Sequence, residues 1–147
     1  MQRYQLHING QTRAPHSGTW FETQNPYTGE VWAEIPRGDA QDVDEAVQAA
    51  HRALTSGPWS EMSPTGRGGL LRRLGDLIAR DAVKLATTEV RDNGKLLAEM
   101  QGQLNYIPQW FYYYGGLADK VQGSPLPLDK KGYFAFPRHE PVGVVAT

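Results

Sequence analysis

The sequence predicts an α/β protein, α+β over most of its length, and three observations carry that prediction. Its first 37 residues alternate apolar and polar side chains between turn signals, the period of half-buried strands. From Asp39 onward, apolar residues recur at three- and four-residue steps, the period of helices packed on one side. The closing run Glu140-Pro-Val-Gly-Val-Val-Ala-Thr147 is rich in β-branched residues and reads as the opening strand of a buried parallel sheet. Residues 1–139 are therefore expected to form a β-meander and a helical layer. Residues 140–147 are expected to begin a second unit whose remaining strands lie beyond Thr147.

In the meander, Tyr4, Leu6 and Ile8 alternate with polar neighbours and run into Asn9-Gly10. That pair is the strongest short hairpin signal, because both turn positions need positive φ. Trp20–Thr23 is a second strand, stopped by the turn cluster Asn25-Pro-Tyr-Thr-Gly29. Val31–Ile35 is a third, stopped by Pro36. Asp39 then caps a helix whose apolar face is Val43, Ala46, Val47, Ala50 and Leu54, with Asp42 in the first turn where the helix dipole favours an acid. Gly57-Pro58 ends it. Ser63-Pro64 starts a second helix, with serine as cap, proline at the first helical position and a stripe of Leu70, Leu71, Leu74, Leu77 and Ile78. A third helix is expected from Asp81 to the glycine cap at Gly94. The aromatic-rich stretch 104–114 contains Pro108, which is tolerated near a helix start, so a helix from about Asn105 is expected, interrupted at Gly115-Gly116. Gly123–Pro127 reads as a loop, and Tyr133–Arg138 as an extended lead into the closing run.

Composition bounds the function. Hydrophobic residues make up 39% of the 147, which suffices for a core, and the net charge of −1 rules out a polyanion binder by bulk charge. The basic residues are spread along the chain, which argues against nucleic acid. The absence of cysteine excludes disulfides, thiolate-ligated zinc and a thiol nucleophile within these residues. The N-terminus carries no apolar signal region and no stretch is long enough to span a bilayer, so the expectation is a soluble protein of the cytoplasm, without membrane partners.

Local motifs give few sites. His7, His16, His51 and His139 lack metal-ligand spacing and read as solvated. Gly66-x-Gly68-Gly69 lacks the third glycine of a dinucleotide fingerprint and follows a helix cap, not a strand; it reads as relief of crowding. On helical spacing Tyr106, Trp110 and Tyr113 share one face and Phe111 and Tyr114 another, and from composition core filling is favoured over ligand contact. Asp92 stands at a helix C-terminus, where the dipole opposes an acid and invites a compensating cation; a solvated helix end is the equal alternative.

Seven stretches taken together resemble the NAD(P)-dependent aldehyde dehydrogenase superfamily. They are Ile8-Asn-Gly10, Asn25-Pro-Tyr-Thr-Gly-Glu30, Asp42-Val-Asp-Glu-Ala-Val47, Gly57-Pro-Trp59, Arg91-Asp-Asn-Gly-Lys95, Tyr113-Tyr-Gly-Gly-Leu-Ala-Asp-Lys120 and Glu140-Pro-Val-Gly-Val-Val145. The resemblance implies the N-terminal part of such an enzyme, with residues 140–147 as the first strand of a Rossmann-like cofactor-binding domain. It implies oxidation of an aldehyde to a carboxylic acid by a cysteine thiolate, hydride transfer to NAD or NADP, and hydrolysis assisted by a glutamate. These groups, and the cofactor contacts, are expected beyond Thr147, so no catalytic or cofactor-binding residue is expected here and the piece alone is expected to be inactive. By the same resemblance Thr23, Gln24 and Asp92 would hold a structural K+ or Na+. Tyr106, Trp110 and Tyr113 would border the substrate entrance, which raises ligand contact to parity with core filling. The full-length protein would be a homo-oligomer, a dimer or tetramer. The alternative is a non-catalytic module that associates with full-length subunits through its helical layer.

Overall fold

A computed structural model describes all 147 residues. Five short strands come first: β1 (Gln2–Arg3), β2 (Leu6–Ile8), β3 (Gln11–Arg13), β4 (Trp20–Gln24) and β5 (Val31–Pro36). Four helices follow: α1 (Ala40–Thr55), α2 (Pro58–Glu61), α3 (Pro64–Asn93) and α4 (Leu97–Leu117). The expected α/β class holds. β2 and β3 form the hairpin signalled by Asn9-Gly10, whose φ angles of 53° and 74° are the left-handed values that such a two-residue turn requires. β4 and β5 pair antiparallel, and β1 adds to the other edge of β5 in parallel, giving the order β1-β5-β4.

α1 begins as its sequence dictates. Asp39 Oδ1 accepts from the Gln41 and Asp42 backbone N–H groups at 2.9 and 3.1 Å, and Asp42 Oδ2 accepts from the Asp39 N–H at 3.1 Å. This reciprocal arrangement satisfies donors that a helix start otherwise leaves orphaned. Asp42 is also buried. It accepts from the His16 backbone N–H at 3.1 Å and from Arg13 Nη2 at 3.3 Å, so it ties the loop after β3 to the helix. The apolar face of α1 is formed but not buried: Val43 and Val47 are exposed, while Asp42 and Ala49 face inward.

The helical layer departs from expectation in two places. A single 30-residue helix, α3, replaces the two expected on either side of Asp81. Aspartate within a helix costs only about half a kcal/mol, and Arg80 holds Asp81 through paired bonds of 2.9 and 2.7 Å, so no break is enforced. The start at Ser63-Pro64 and the end at Gly94, with φ of 73°, are as expected. Secondly, α4 begins at Leu97, not near Asn105, and runs through Pro108 and Gly115-Gly116. Proline inside a helix costs about 3 kcal/mol. Here Pro108 is buried, and packing along α3 offsets that cost.

The packing seam also differs from the expected leucine stripe. Leu70 and Leu74 are exposed, and the positions of α3 turned inward are Gly68, Gly75, Ala82 and Ala86. Small residues at seven-residue steps let α4 approach closely. A Cβ on Gly115 would lie 2.8 Å from the Gly68 carbonyl oxygen, and one on Gly75 would lie 2.7 Å from Tyr112 Cε1. Gly68 thus relieves crowding, as expected, although Gly69 meets nothing. The core comprises Ala82, Ala86, Met100 and Leu104, with Ile78, Val90 and Ile107 against it. Only 12 of the 147 residues are buried, so several apolar faces are left on the surface. The run Val142–Val145 is among them. It carries no ladder hydrogen bonds, because no second strand lies beside it and a parallel strand exists only as one of a pair. No helix is long and apolar enough to cross a membrane.

Candidate functional site

Two regions collect the residues singled out by the sequence. The first is where β4 meets the end of α3. Thr23 Oγ1 donates to Asp92 Oδ1 at 2.8 Å, and Gly94 packs against Pro26, so the Asn25-Pro26 turn is seated on the helix C-terminus. The β4–β5 register shifts between Thr23 and Gln24: Thr23 pairs with Ala33 and Gln24 with Val31, leaving Trp32 as the extra residue of a bulge. The structure therefore brings Thr23 and Asp92 together and places Gln24 next along the strand, with no contact of its own to Asp92. The donor set is oxygen only, which suits a hard cation. One carboxylate oxygen is already engaged by Thr23, and Oδ2 remains as an acceptor. Asp92 also lines a cleft of about 550 Å³ between the sheet and the helices, walled by Tyr4, Trp32, Ile78, Leu104 and Phe111. The Trp32 indole N–H is buried there without a partner.

The second region is the outer face of α4. Tyr106 meets Trp110 edge to face with centroids 5.8 Å apart, and Trp110 lies 6.5 Å from Tyr114 in a near-parallel arrangement. Tyr113 meets Tyr114 edge to face at 5.2 Å. Tyr106, Trp110 and Tyr113 thus share a surface as expected, but Tyr114 joins them, and Phe111 alone turns to the cleft. Core filling, the reading favoured from composition alone, does not apply to this face: Tyr106, Trp110, Tyr113 and Tyr114 are between 51% and 60% exposed. Tyr112 is different again. Its hydroxyl donates to Asp76 Oδ1 on α3 at 3.0 Å, and that bond raises the phenol above its ordinary pKa.

Sequence reasoning missed three residues beside this aromatic face. Glu99, Gly102 and Gln103 line one groove of about 550 Å³ with Tyr106 and Trp110. Their spacing of three, four and seven residues from Tyr106 was the available signal. Of the histidines, His16 is not solvated alone: Nδ1 lies 3.1 Å from Asp39 Oδ2.

Strands that precede a helical layer, an aromatic helix face and an Asp-Asn-Gly-Lys helix end define an α/β enzyme-type scaffold. Its family is established by comparison with known proteins. The aldehyde dehydrogenase family model matches residues 13–147, and the chain belongs to that family. It is 42% identical over 146 residues to a (Z)-2-((N-methylformamido)methylene)-5-hydroxybutyrolactone dehydrogenase of Acinetobacter baylyi, covering 99% of this chain and 30% of that protein. It is 44% identical over 142 residues to the human mitochondrial aldehyde dehydrogenase, covering 95% of this chain and 27% of that protein. The NAD+ complex of an aldehyde dehydrogenase from Bacillus cereus superposes with a TM-score of 0.89 at 36% identity, over 96% of this chain and 29% of that one. The chain spans under a third of the length of the curated relatives it matches.

Proposed function

We propose that these residues are the N-terminal part of an NAD(P)-dependent aldehyde dehydrogenase that oxidises an aldehyde to a carboxylic acid. The observation that carries the reading is the family match over residues 13–147. No cysteine occurs in the sequence, so the thiolate chemistry of the family resides outside it, and residues 1–147 alone turn over no aldehyde. NAD or NADP would be held by the same outside part. Residues 1–139 act as the hairpin and helical layer, and residues 140–147 supply the first strand of the cofactor-binding domain. Within the chain, Asp92 with the backbone at Thr23 and Gln24 holds a monovalent cation, K+ or Na+, that fixes β4 to the end of α3. Tyr106, Trp110 and Tyr113 border the entrance through which the aldehyde arrives. The complete enzyme works in the cytoplasm as a homo-oligomer, a dimer or tetramer. The test is NADH formation from a simple aldehyde by residues 1–147 and by a longer chain that contains them together with the family's cysteine. Turnover by the longer chain only is the expected result; turnover by residues 1–147 would overturn the assignment.

A further inference from the structure

We propose that the groove on the outer face of α4 selects aldehydes that carry an organic cation, an alkylated ammonium group. This rests on the reading of Tyr106, Trp110 and Tyr113 as the substrate entrance. The first ground is an aromatic surface left open to water. Tyr106 is 59% exposed and Trp110 51%, and they are locked edge to face at 5.8 Å, so they form a stiff wall. Aromatic faces attract alkylammonium groups through the ring quadrupole, and Trp is the best of them.

Charge supplies the second ground. Helix α4 has no Lys, Arg or His between Leu97 and Leu117, and its single charged residue, Glu99, lines the same groove as Tyr106 and Trp110. A carboxylate there complements a cationic ligand and repels an anionic one.

Space supplies the third. Gly102 sits mid-helix, where glycine is disfavoured, and a Cβ on it would meet nothing within 4 Å. No packing contact accounts for that glycine, whereas a bare backbone beside Tyr106 and Trp110 leaves the groove floor open to a bulky head group.

The experiment uses two probes of the same shape, choline and the neutral 3,3-dimethylbutan-1-ol. Each is titrated into the 147-residue chain while the Trp110 indole and Gly102 amide signals are followed by 1H–15N NMR. Choline is expected to bind with a Kd about two- to fivefold lower than its neutral isostere, the ratio for an exposed cation on an aromatic face. Glu99→Gln, an exposed substitution with no fold to disturb, is expected to narrow that ratio, and Gly102→Leu to weaken both probes by filling the floor. Equal binding of the two probes, or a ratio untouched by Glu99→Gln, overturns the cation preference while leaving the entrance reading in place. No response of Trp110 or Gly102 to either probe overturns both.

Discussion

Two glycines of one helix should respond in opposite directions to the same substitution. Gly102 and Gly115 both lie in α4, but a Cβ on Gly102 enters open space, and one on Gly115 lies 2.8 Å from the Gly68 carbonyl oxygen and 3.1 Å from Arg72 Cγ. Alanine at either position removes backbone entropy from the unfolded chain and favours the helix by about 0.5–1 kcal/mol. At Gly102 nothing opposes that gain, so Gly102→Ala is expected to stabilise by about 0.5–1 kcal/mol. At Gly115 the obstacle is backbone of the facing helix, which cannot swing aside as a flexible side chain could. Overpacking of this kind costs about 1–3 kcal/mol, and near the helix end the propensity gain is smaller, so Gly115→Ala is expected to lose about 1–2 kcal/mol. Urea unfolding followed by helical circular dichroism separates the two, with the midpoints moving apart at unchanged slope. If Gly115→Ala raised the midpoint as Gly102→Ala does, the close crossing of α3 and α4 at Gly68 and Gly115 would be refuted.

Three further outcomes follow from the sites described. Asp42→Ala leaves the backbone N–H groups of Asp39 and His16 and one Arg13 nitrogen without their acceptor; a loss of about 2–4 kcal/mol is expected in urea unfolding, large against so small a core. At Asp39, the Asp42 backbone N–H first, then His16 and the Gln41 N–H, hold the carboxyl below its usual pKa. A carboxyl with a lowered folded value stabilises the fold above its unfolded pKa and loses that contribution as pH falls through the folded one. Urea midpoints between about pH 7 and about pH 3 should therefore fall less steeply in Asp39→Asn, which keeps a capping oxygen without the titrating charge. At the β4–α3 junction, K+ at about ten times its Kd should raise the melting temperature by about 2–4 °C over N-methylglucamine at equal ionic strength, and Asp92→Asn should remove the difference.

How much could be read in advance depended on the range of the interactions. Turns and caps were legible because their causes are local: Asn9-Gly10, the Asp39 cap, Ser63-Pro64 and Gly94 stand where the residues place them. The extent of α4 was not, because the penalty of Pro108 is local while its compensation, burial along α3, is tertiary. The seam of α3 was misread for a related reason. Leucines at helical spacing mark an apolar face, but the closest approach to α4 is made through Gly68, Gly75, Ala82 and Ala86, which a hydrophobicity pattern ranks low. Asp42 was read as a dipole-favoured acid of the first turn. Its burial and its bonds to Arg13 and His16 depend on the loop after β3 folding back, which no spacing within α1 records.

The two apolar runs that stay exposed are neighbours in space. Val47 and Leu54 of α1, with His51 between them, line a cleft of about 500 Å³ whose other wall is Gly143 and Val144 of the closing run. Val142 is 97% exposed and Val145 67%, whereas Val144, against α1, is 40% exposed. The helix face that periodicity marks for burial and the valine run that composition marks as a strand are thus already laid side by side. A helix on one face of a sheet is the packing that an α/β layer requires. Pairing of Val142–Val145 with a parallel strand would complete the ladder and cover the α1 face in the same step. The two departures from expectation, an open α1 face and an unpaired terminal run, therefore have one physical cause: each needs the sheet that the other helps to define.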